Sequence, residues 1–165
     1  MPRDCDGKRV AVLGSGGNQV VFALAGLGAK VTSIDISEQQ IEVARGRAAT
    51  LGLQVDFVRA DATRLSSAGV GKAFTLILDS GCLHGMSDDA RDRYVPELGA
   101  VAARQTRLLI FAFTAGGQVG VRGIDQAEIE RRFTPQWDLV SAADETEMTN
   151  NPQHPARHYL LQRRE

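Results

Sequence analysis

A glycine-rich turn in the stretch VLGSGGN, from Val12 to Asn18, is the first segment whose residue types suit a chemical task. Gly14 and Gly16 permit a tight turn and let a ligand approach bare backbone. The apolar residues that follow predict a helix, and its free N–H groups would face the same point. Such a turn suits a phosphate or a nucleotide, although a purely structural strand-to-helix turn needs the same glycines.

Two aspartates downstream carry groups that suit a nucleoside. Asp35 lies 21 residues after Gly14, at the end of the stretch KVTSID, where a carboxylate can accept hydrogen bonds from both hydroxyls of a ribose. Asp61 follows the stretch FVRA, where an acceptor suits the amino group of an adenine. Each aspartate alone also fits a capping or turn role. Together with the glycine turn they predict nucleoside binding.

A third polar group stands in the stretch DSGCLHGM, which holds Asp79, Cys82 and His84. His84 is a candidate base, because the unperturbed pKa of histidine lies near neutrality. A histidine that only caps a turn is the competing interpretation. Cys82 has no evident partner base, so we interpret it as a packing residue rather than a nucleophile.

The elements that must position these residues alternate between strand and helix. Apolar runs rich in β-branched residues predict five strands that end near Gly14, Asp35, Asp61, Gly81 and Thr114. Helices begin near Asn18, Ser37, Ser87 and Asp125, Gly52 caps the second of them, and Pro96 should kink or split the third. Two closing strands, WDLVSAADETEM and RHYLLQRR, should pair antiparallel. The alternation predicts a parallel sheet covered by helices on both faces, with ligands at the carboxyl ends of its strands.

Composition narrows the class of protein. The chain has 165 residues, 43% of them hydrophobic, which fits one domain over residues 1–165. The net charge is −1 and the 19 basic residues are scattered, which argues against a nucleic-acid partner. We find no apolar run long enough for a membrane span, no secretory signal and no metal-ligand spacing at the two cysteines. We therefore expect a cytoplasmic protein without a metal or membrane partner.

Taken in order, these stretches resemble a class I S-adenosylmethionine-dependent methyltransferase, and most closely the small bacterial thiopurine and tellurite methyltransferases. The resemblance implies the α/β fold of that class, a Rossmann-like, doubly wound and mostly parallel sheet with a C-terminal antiparallel strand pair. It implies S-adenosylmethionine as cofactor, S-adenosylhomocysteine as product and a small-molecule methyl acceptor. The stretches that carry it are VLGSGGN, VTSIDIS, FVRADA, FTLILDSGCLH and RLLIFAFT.

The resemblance also assigns roles to residues. The glycine turn would lie against the methionine part of the cofactor, the second strand end would hold the ribose, and the third would face the adenine. The residues expected to bind the cofactor are Gly14, Ser15, Gly16, Asp35, Ile36, Asp61, Ala62 and Asp79. His84 and Asp79 are the expected catalytic residues, and His84 and the loop after Thr114 would line the acceptor pocket.

Three departures from the family pattern stand out. Val12 replaces an acidic residue near the cofactor's amino group, and Asn18 replaces the last glycine of the turn. The long N-terminal segment that covers the cofactor in most members is not found before the first strand. A partner subunit in a homodimer, or the loop from Ala115 to Gly123, would then have to close the site.

The expected reaction is an in-line displacement of the sulfonium methyl group by a sulfur, oxygen or nitrogen nucleophile, for which the protein mainly aligns the acceptor. The missing acidic residue at Val12 and the missing N-terminal cover favour a second interpretation, a non-catalytic module that binds the cofactor, or nothing, and serves in interaction or regulation. A third, an NAD(P)-dependent oxidoreductase, ranks lower. Gln19 stands where its loop needs a glycine, and the chain lacks a Tyr-x-x-x-Lys pair for hydride transfer.

Overall fold

The computed structural model describes residues 5–116, 119–145 and 155–165. Within these residues, strands and helices alternate up to the last helix and two strands close the chain. Short 3₁₀ helices at Ala62–Ser67 and Leu83–Gly85 follow the third and fourth strands. The elements are β1 (Arg9–Leu13), α1 (Gln19–Gly26), β2 (Lys30–Asp35), α2 (Glu38–Leu51), β3 (Asp56–Arg59), β4 (Phe74–Asp79), α3 (Asp88–Val101), β5 (Ala102–Phe113), α4 (Gln126–Phe133), β6 (Trp137–Asp144) and β7 (Ala156–Arg163).

The strands form one seven-stranded sheet in the order β3-β2-β1-β4-β5-β7-β6. Strands β1 to β5 run parallel, whereas β7 pairs antiparallel with both β5 and β6. The predicted fold class, including the antiparallel closing pair, is therefore confirmed. The strand order reverses at β1 and β4, so the carboxyl ends of these strands mark the edge at which such sheets bind ligands.

Both faces of the sheet are covered near its centre. Successive residues of β1 enter opposite cores, because side chains alternate along a strand. Ala11 and Leu13 pack in the larger core with α3 and α4, and Val10 and Val12 pack in the smaller core with α1 and α2. The continuous apolar run of β1 thus reflects a strand that is buried on both sides.

The predicted helix boundaries are largely confirmed by their caps. Ser37 accepts a hydrogen bond from the Gln40 N–H at 3.3 Å, and Gly52 closes α2 in the left-handed conformation at φ +65°. Ser87 caps α3 in the same way, and the Asp125 carboxylate caps α4. Each cap satisfies an N–H group that the first turn of a helix leaves unpaired.

The structure departs from the sequence-based expectations at two elements. Pro96 was expected to kink or split α3, and it does not split the helix, which is continuous from Asp88 to Val101. Asp92 and Pro96 are both exposed, so water can satisfy the Asp92 carbonyl that the proline leaves without a donor, while Tyr94 and Leu98 are buried in the core on either side of the proline. Strand β5 also begins earlier than expected, directly after α3, and contains an irregularity where Gln105 has φ +57°.

Two further observations concern absent features. In the described part of the chain, no helix is both long enough and apolar enough to span a membrane. Nor do residues 5–116, 119–145 and 155–165 hold a cluster of three or more histidine, cysteine, aspartate or glutamate side chains that could bind a metal ion.

Candidate active site at the strand ends

The glycine turn continues directly from β1 and depends on Gly14. Its N–H donates to the Ile34 carbonyl of β2 at 2.9 Å, and its φ of +62° lies in the left-handed region. A Cβ atom at this position would come within 2.5 Å of Cys82 Sγ. Gly14 is therefore required both by the backbone conformation and by the close approach of the loop after β4.

Asn18, which stands in place of a family glycine, is the N-cap of α1. Its Oδ1 accepts from the Val20 N–H at 3.1 Å, and its Nδ2 lies 3.5 Å from the Ser80 hydroxyl after β4. The substitution thus preserves the helix start and adds a polar link across the switch point between β1 and β4.

Asp35 lies at the end of β2, where its carboxylate binds the glycine turn. Oδ2 accepts from the Gly16 N–H and Oδ1 from the Ser37 N–H, each at 2.9 Å. A carboxylate can accept about four hydrogen bonds, so each oxygen keeps a free acceptor position. The next residue, Ile36, is 66% exposed, which leaves a large apolar side chain uncovered beside the carboxylate.

Asp61 lies two residues beyond the end of β3 and caps the first 3₁₀ helix. Its Oδ1 accepts hydrogen bonds from the backbone N–H and the hydroxyl of Thr63, both at 2.8 Å. These bonds lower the pKa of Asp61, and the bond from the backbone N–H has the largest effect. Ala62 next to it is buried. In the described residues Asp61 shares no hydrogen bond with the other predicted site residues. It is grouped with them only because it follows the carboxyl end of a neighbouring parallel strand.

Asp79 ends β4 and is 2% exposed. It accepts from the N–H groups of Gly81, Cys82 and Leu83 at 2.6–3.1 Å and from the Tyr94 hydroxyl at 2.6 Å. Burial raises the pKa of Asp79 despite these four donors. With its acceptor positions filled, the carboxylate fixes the loop after β4, which argues against a direct catalytic role.

His84 is buried over Gly81 in the second 3₁₀ helix, and its ring centroid lies 5.1 Å from that of Phe113. The Phe113 N–H donates to Nδ1 of His84 at 3.1 Å. Nδ1 must therefore carry the lone pair, and the neutral ring holds its proton on Nε2. Burial lowers the pKa of His84 and favours this neutral form. The nitrogen that a base would use is already occupied, so the geometry argues against the predicted role of His84 as a base.

Cys82 packs against Gly14 and does not resemble an activated thiol. Burial, followed by repulsion from the Asp79 carboxylate, raises the pKa of Cys82 far above its ordinary value. The thiolate is therefore strongly disfavoured at neutral pH. Cys82 and Cys5 are both free cysteines.

Arg91 joins the His84 segment to the far end of the loop that follows β5. This fully buried side chain donates to the carbonyls of His84 and Gly123 at 3.1 and 2.8 Å and pairs with Glu128 at 2.8 Å. The Gly123 N–H also donates to the His84 carbonyl, at 3.0 Å. Residues 117 and 118 of the expected covering loop lie outside the described residues, but its C-terminal end is thus fixed beside His84.

A cavity of about 240 Å³ opens beside this site, on the face of the sheet that α1 covers. It extends from the start of α1 across β4 and β5 to β7, and its wall is mostly apolar. Sequence reasoning missed this surface, because the contribution of β7 depends on its pairing with β5. The lining residues are Asn18, Val20, Leu78, Asp79, Ser80, Leu109, Phe111 and His158. His84 is not among them.

Val12, the most serious departure, lies inside the smaller core with no exposed surface. It packs with Val10 and Val21 and presents no polar atom to the strand ends.

A family model described as a methyltransferase domain matches residues 10–105, more than half of the chain. A ubiquinone biosynthesis O-methyltransferase from Brucella anthropi is 36% identical over 87 residues, which cover 53% of this chain and 34% of that protein. The chain thus spans about a third of the length of this curated relative.

Two solved structures share the fold. The magnesium protoporphyrin IX methyltransferase of Synechocystis, solved with bound S-adenosylmethionine, has a TM-score of 0.76 at 20% identity over 97% of this chain and 72% of that one. The 1,6-didemethyltoxoflavin N1-methyltransferase of Burkholderia thailandensis has a TM-score of 0.78 at 18% identity, again over 97% and 72%. With the family match and the seven-stranded sheet, these findings confirm the predicted family. The chain belongs to the class I S-adenosylmethionine-dependent methyltransferases, whose cofactor is S-adenosylmethionine.

Proposed function

We propose that this chain transfers a methyl group from S-adenosylmethionine to a small-molecule acceptor that presents an oxygen, sulfur or nitrogen nucleophile. One observation carries the proposal. The glycine turn that starts at Gly14 and the carboxylates of Asp35 and Asp61 follow three neighbouring parallel strands, and the apolar cavity opens at the start of α1 and the end of β4, next to the strand that leads into the glycine turn. A nucleoside site and an acceptor site thus share a border near Ser80.

The residues at the strand ends fit the cofactor. The free acceptor positions of Asp35 suit two neighbouring hydroxyls of a ribose. The exposed side chain of Ile36 would be covered by an adenine, which removes its apolar surface from water. Asp61 and the backbone of Ala62 would meet the adenine edge. Gly14, Ser15 and Gly16 complete the proposed cofactor site, and Asp79 contributes by holding the loop that borders it.

The cavity fits the acceptor. A dry cavity of about 150 Å³ holds one benzene molecule, so a cavity of about 240 Å³ has room for a single substituted ring. Leu78, Leu109 and Phe111 supply apolar contacts, while Asn18 and Ser80 supply polar ones at the border with the cofactor site. Such a pocket selects a small, largely apolar compound.

The chemistry requires little from the protein beyond alignment. When bound, the cofactor supplies a methyl group that its sulfonium charge already activates. The apolar wall of the cavity excludes water and holds the acceptor in line, and orientation alone contributes several kcal/mol, up to about 7–11 kcal/mol in the best cases. Asp79 and His84 hold the loop after β4 in place, and His84 offers Nε2–H as a donor rather than a base.

The relatives' names favour an oxygen or nitrogen nucleophile, since one is an O-methyltransferase and another an N1-methyltransferase. A single domain over residues 1–165, a cytoplasmic location and a homodimer that covers the site stay predictions. The non-catalytic module stays the second candidate, because the buried apolar Val12 supplies no carboxylate for the cofactor's amino group.

A methyl-transfer screen separates these candidates. Small phenols, thiols and amines are incubated with the protein and S-adenosylmethionine, and the release of S-adenosylhomocysteine is measured. We expect release with at least one ring-bearing acceptor of the size of the cavity. Cofactor binding without any transfer would favour the non-catalytic module, and the absence of binding at millimolar cofactor would contradict the proposed methyl transfer.

A further inference from the structure

Asn18 and Ser80 meet at the point where the sheet reverses its strand order. Asn18 begins α1 directly after the glycine turn, and Ser80 directly follows β4. The Ser80 N–H donates to the Leu13 carbonyl at 3.0 Å, which joins the loop after β4 to the end of β1. Nδ2 of Asn18 lies 3.5 Å from the Ser80 hydroxyl, and both half-buried residues line the cavity. The pair therefore stands between the glycine turn and the cavity.

The hydrogen bonds of this pair leave donors free. Oδ1 of Asn18 accepts from the Val20 N–H at 3.1 Å, which orients the amide so that its NH₂ group faces Ser80. Because the amide donates to Oγ, the Ser80 hydroxyl keeps its own proton, and within the described part of the chain no group accepts it. The amide also has a second N–H. The pair thus offers an O–H and an N–H donor to a ligand.

The order of the strands determines which part of the cofactor would reach this pair. In the proposed cofactor site the adenine lies at Asp61 after β3 and the ribose at Asp35 after β2, and the next strands in the sheet are β1 and β4. A nucleoside that lies across the strand ends in this order places its 5′ substituent at the border of β1 and β4. In S-adenosylmethionine that substituent is the methionine, which ends in a carboxylate and an ammonium group.

The surroundings favour the carboxylate of that methionine over its ammonium group. Val12, at the position that is acidic in the family, is buried and has no polar side-chain atom. The Asp79 carboxylate is 2% exposed and already accepts four hydrogen bonds. Donors that meet a carboxylate form hydrogen bonds roughly twice as strong as those to a neutral acceptor. The contact between Asn18 and Ser80 is longer than a usual hydrogen bond, so little is lost when both donors turn to a ligand.

We propose that Asn18 and Ser80 together bind the α-carboxylate of the cofactor's methionine. This inference rests on the proposed cofactor site. The two departures from the family pattern are then parts of one change. Val12 removes a carboxylate that would hold the ammonium group, and Asn18 adds a donor that holds the carboxylate. The methionine is bound by its other end, and the cofactor site does not depend on an acidic residue in β1.

Calorimetric titration with S-adenosylhomocysteine and two analogues tests the inference. 5′-Deoxy-5′-(3-carboxypropylthio)adenosine lacks only the amino group, and 5′-deoxy-5′-(3-aminopropylthio)adenosine lacks only the carboxylate. A hydrogen bond to a charged group corresponds to about 10–100-fold in affinity. We expect wild type to bind the carboxypropyl compound at least about tenfold more tightly than the aminopropyl compound. Asn18→Gly, which restores the family residue, and Ser80→Ala should each weaken the carboxypropyl compound about tenfold or more and leave the aminopropyl compound unchanged.

Asn18→Asp reverses the chemistry of the pair. Aspartate caps a helix as well as asparagine does, so the start of α1 is kept while a carboxylate replaces the donor. The preference should invert, and the aminopropyl compound should bind more tightly than the carboxypropyl compound. Thermal unfolding checks that the variant keeps the fold, and Ser80→Ala, which leaves the cap of α1 untouched, supplies the independent test.

Asp35→Ala serves as the control, because it should weaken all three ligands alike through the ribose that they share. Equal losses for both analogues in Asn18→Gly and Ser80→Ala would overturn the inference and leave the cofactor site intact. A wild-type preference for the aminopropyl compound would do the same. If wild type bound none of the three ligands, the proposed function would fail as well.

Discussion

The backbone N–H of Phe113 donates a 3.1 Å hydrogen bond to Nδ1 of His84. This contact joins the end of β5 to the loop after β4 and decides what the histidine can do. When Nδ1 of a neutral imidazole accepts a hydrogen bond, its only lone pair is occupied and the ring proton lies on Nε2. The ring can then donate a hydrogen bond from Nε2, but it cannot act as a base without breaking the contact at Nδ1. His84 is thereby a residue that positions the site.

Replacing His84 tests this role. Asparagine can place an acceptor near the position of Nδ1, whereas alanine leaves the Phe113 N–H without a partner. We expect His84→Ala to lower the free energy of unfolding by about 1–3 kcal/mol, the cost of an unsatisfied buried donor, and His84→Asn to lower it less. Methyl transfer in His84→Asn should fall by less than about tenfold, since loss of a base costs about 10²–10⁴-fold. A hundredfold loss of methyl transfer in a stable His84→Asn variant would contradict this account and support His84 as the base.

The stability of the protein should also depend on pH through His84. Burial lowers the pKa of the folded-state imidazole below the unfolded value of about 6.5. Between these two pKa values the unfolded chain binds more protons, so the free energy of unfolding falls as the pH drops below about 6.5. Urea unfolding of wild type and His84→Asn, from about pH 8 to pH 5, measures the difference. If the free energy of unfolding changed with pH equally in both proteins, His84 would not have the lowered pKa that we assign to it.

Much of this fold could be predicted from local signals. The caps at Ser37, Ser87 and Asp125 depend on residues within one helical turn, and the apolar run of β1 reflects burial on both faces. Local reasoning did not predict that α3 continues through Pro96, because that depends on the burial of Tyr94 and Leu98 in the core.

The site was harder to predict because its chemistry depends on distant partners. The tautomer of His84 is set by Phe113, 29 residues away. His158 gave no motif in the sequence, and only the register of β7 against β5 brings it to the cavity. The alternation of RHYLLQRR could have placed His158 and Leu160 on one face, but not opposite Phe111.

The Tyr94 hydroxyl donates to buried Asp79 at 2.6 Å, which allows a double-mutant cycle. Tyr94→Phe removes one hydrogen bond to a charged group, worth about 1.5–3 kcal/mol. Asp79→Asn should cost more, because an amide cannot accept from all of the N–H groups that the carboxylate holds. Chemical unfolding of the single and double variants should give a coupling of about 0.5–3 kcal/mol. Strict additivity would show that the contact contributes nothing.

Gly14 should tolerate no side chain. Gly14→Ala places a Cβ atom 2.5 Å from Cys82 Sγ at a residue with φ +62°, and we expect a loss of stability larger than the roughly 1 kcal/mol of a left-handed alanine alone. Adding Cys82→Ala removes the clash but not the backbone strain, so it should restore only part of the loss. If Gly14→Ala were as stable as wild type in thermal unfolding, the close approach of the two loops would be wrong.

The central claim, that the strand ends bind S-adenosylmethionine through Asp35, is tested most directly by calorimetric titration with S-adenosylhomocysteine. Hydrogen bonds to a charged group contribute about 1.5–3 kcal/mol each, and every 1.4 kcal/mol is about tenfold in affinity. Asp35→Ala should therefore weaken binding by about 10–100-fold or more. Asp56→Ala, at an exposed aspartate of the neighbouring strand β3, serves as the matched control and should bind like wild type. Equal affinity in Asp35→Ala and wild type would contradict the account.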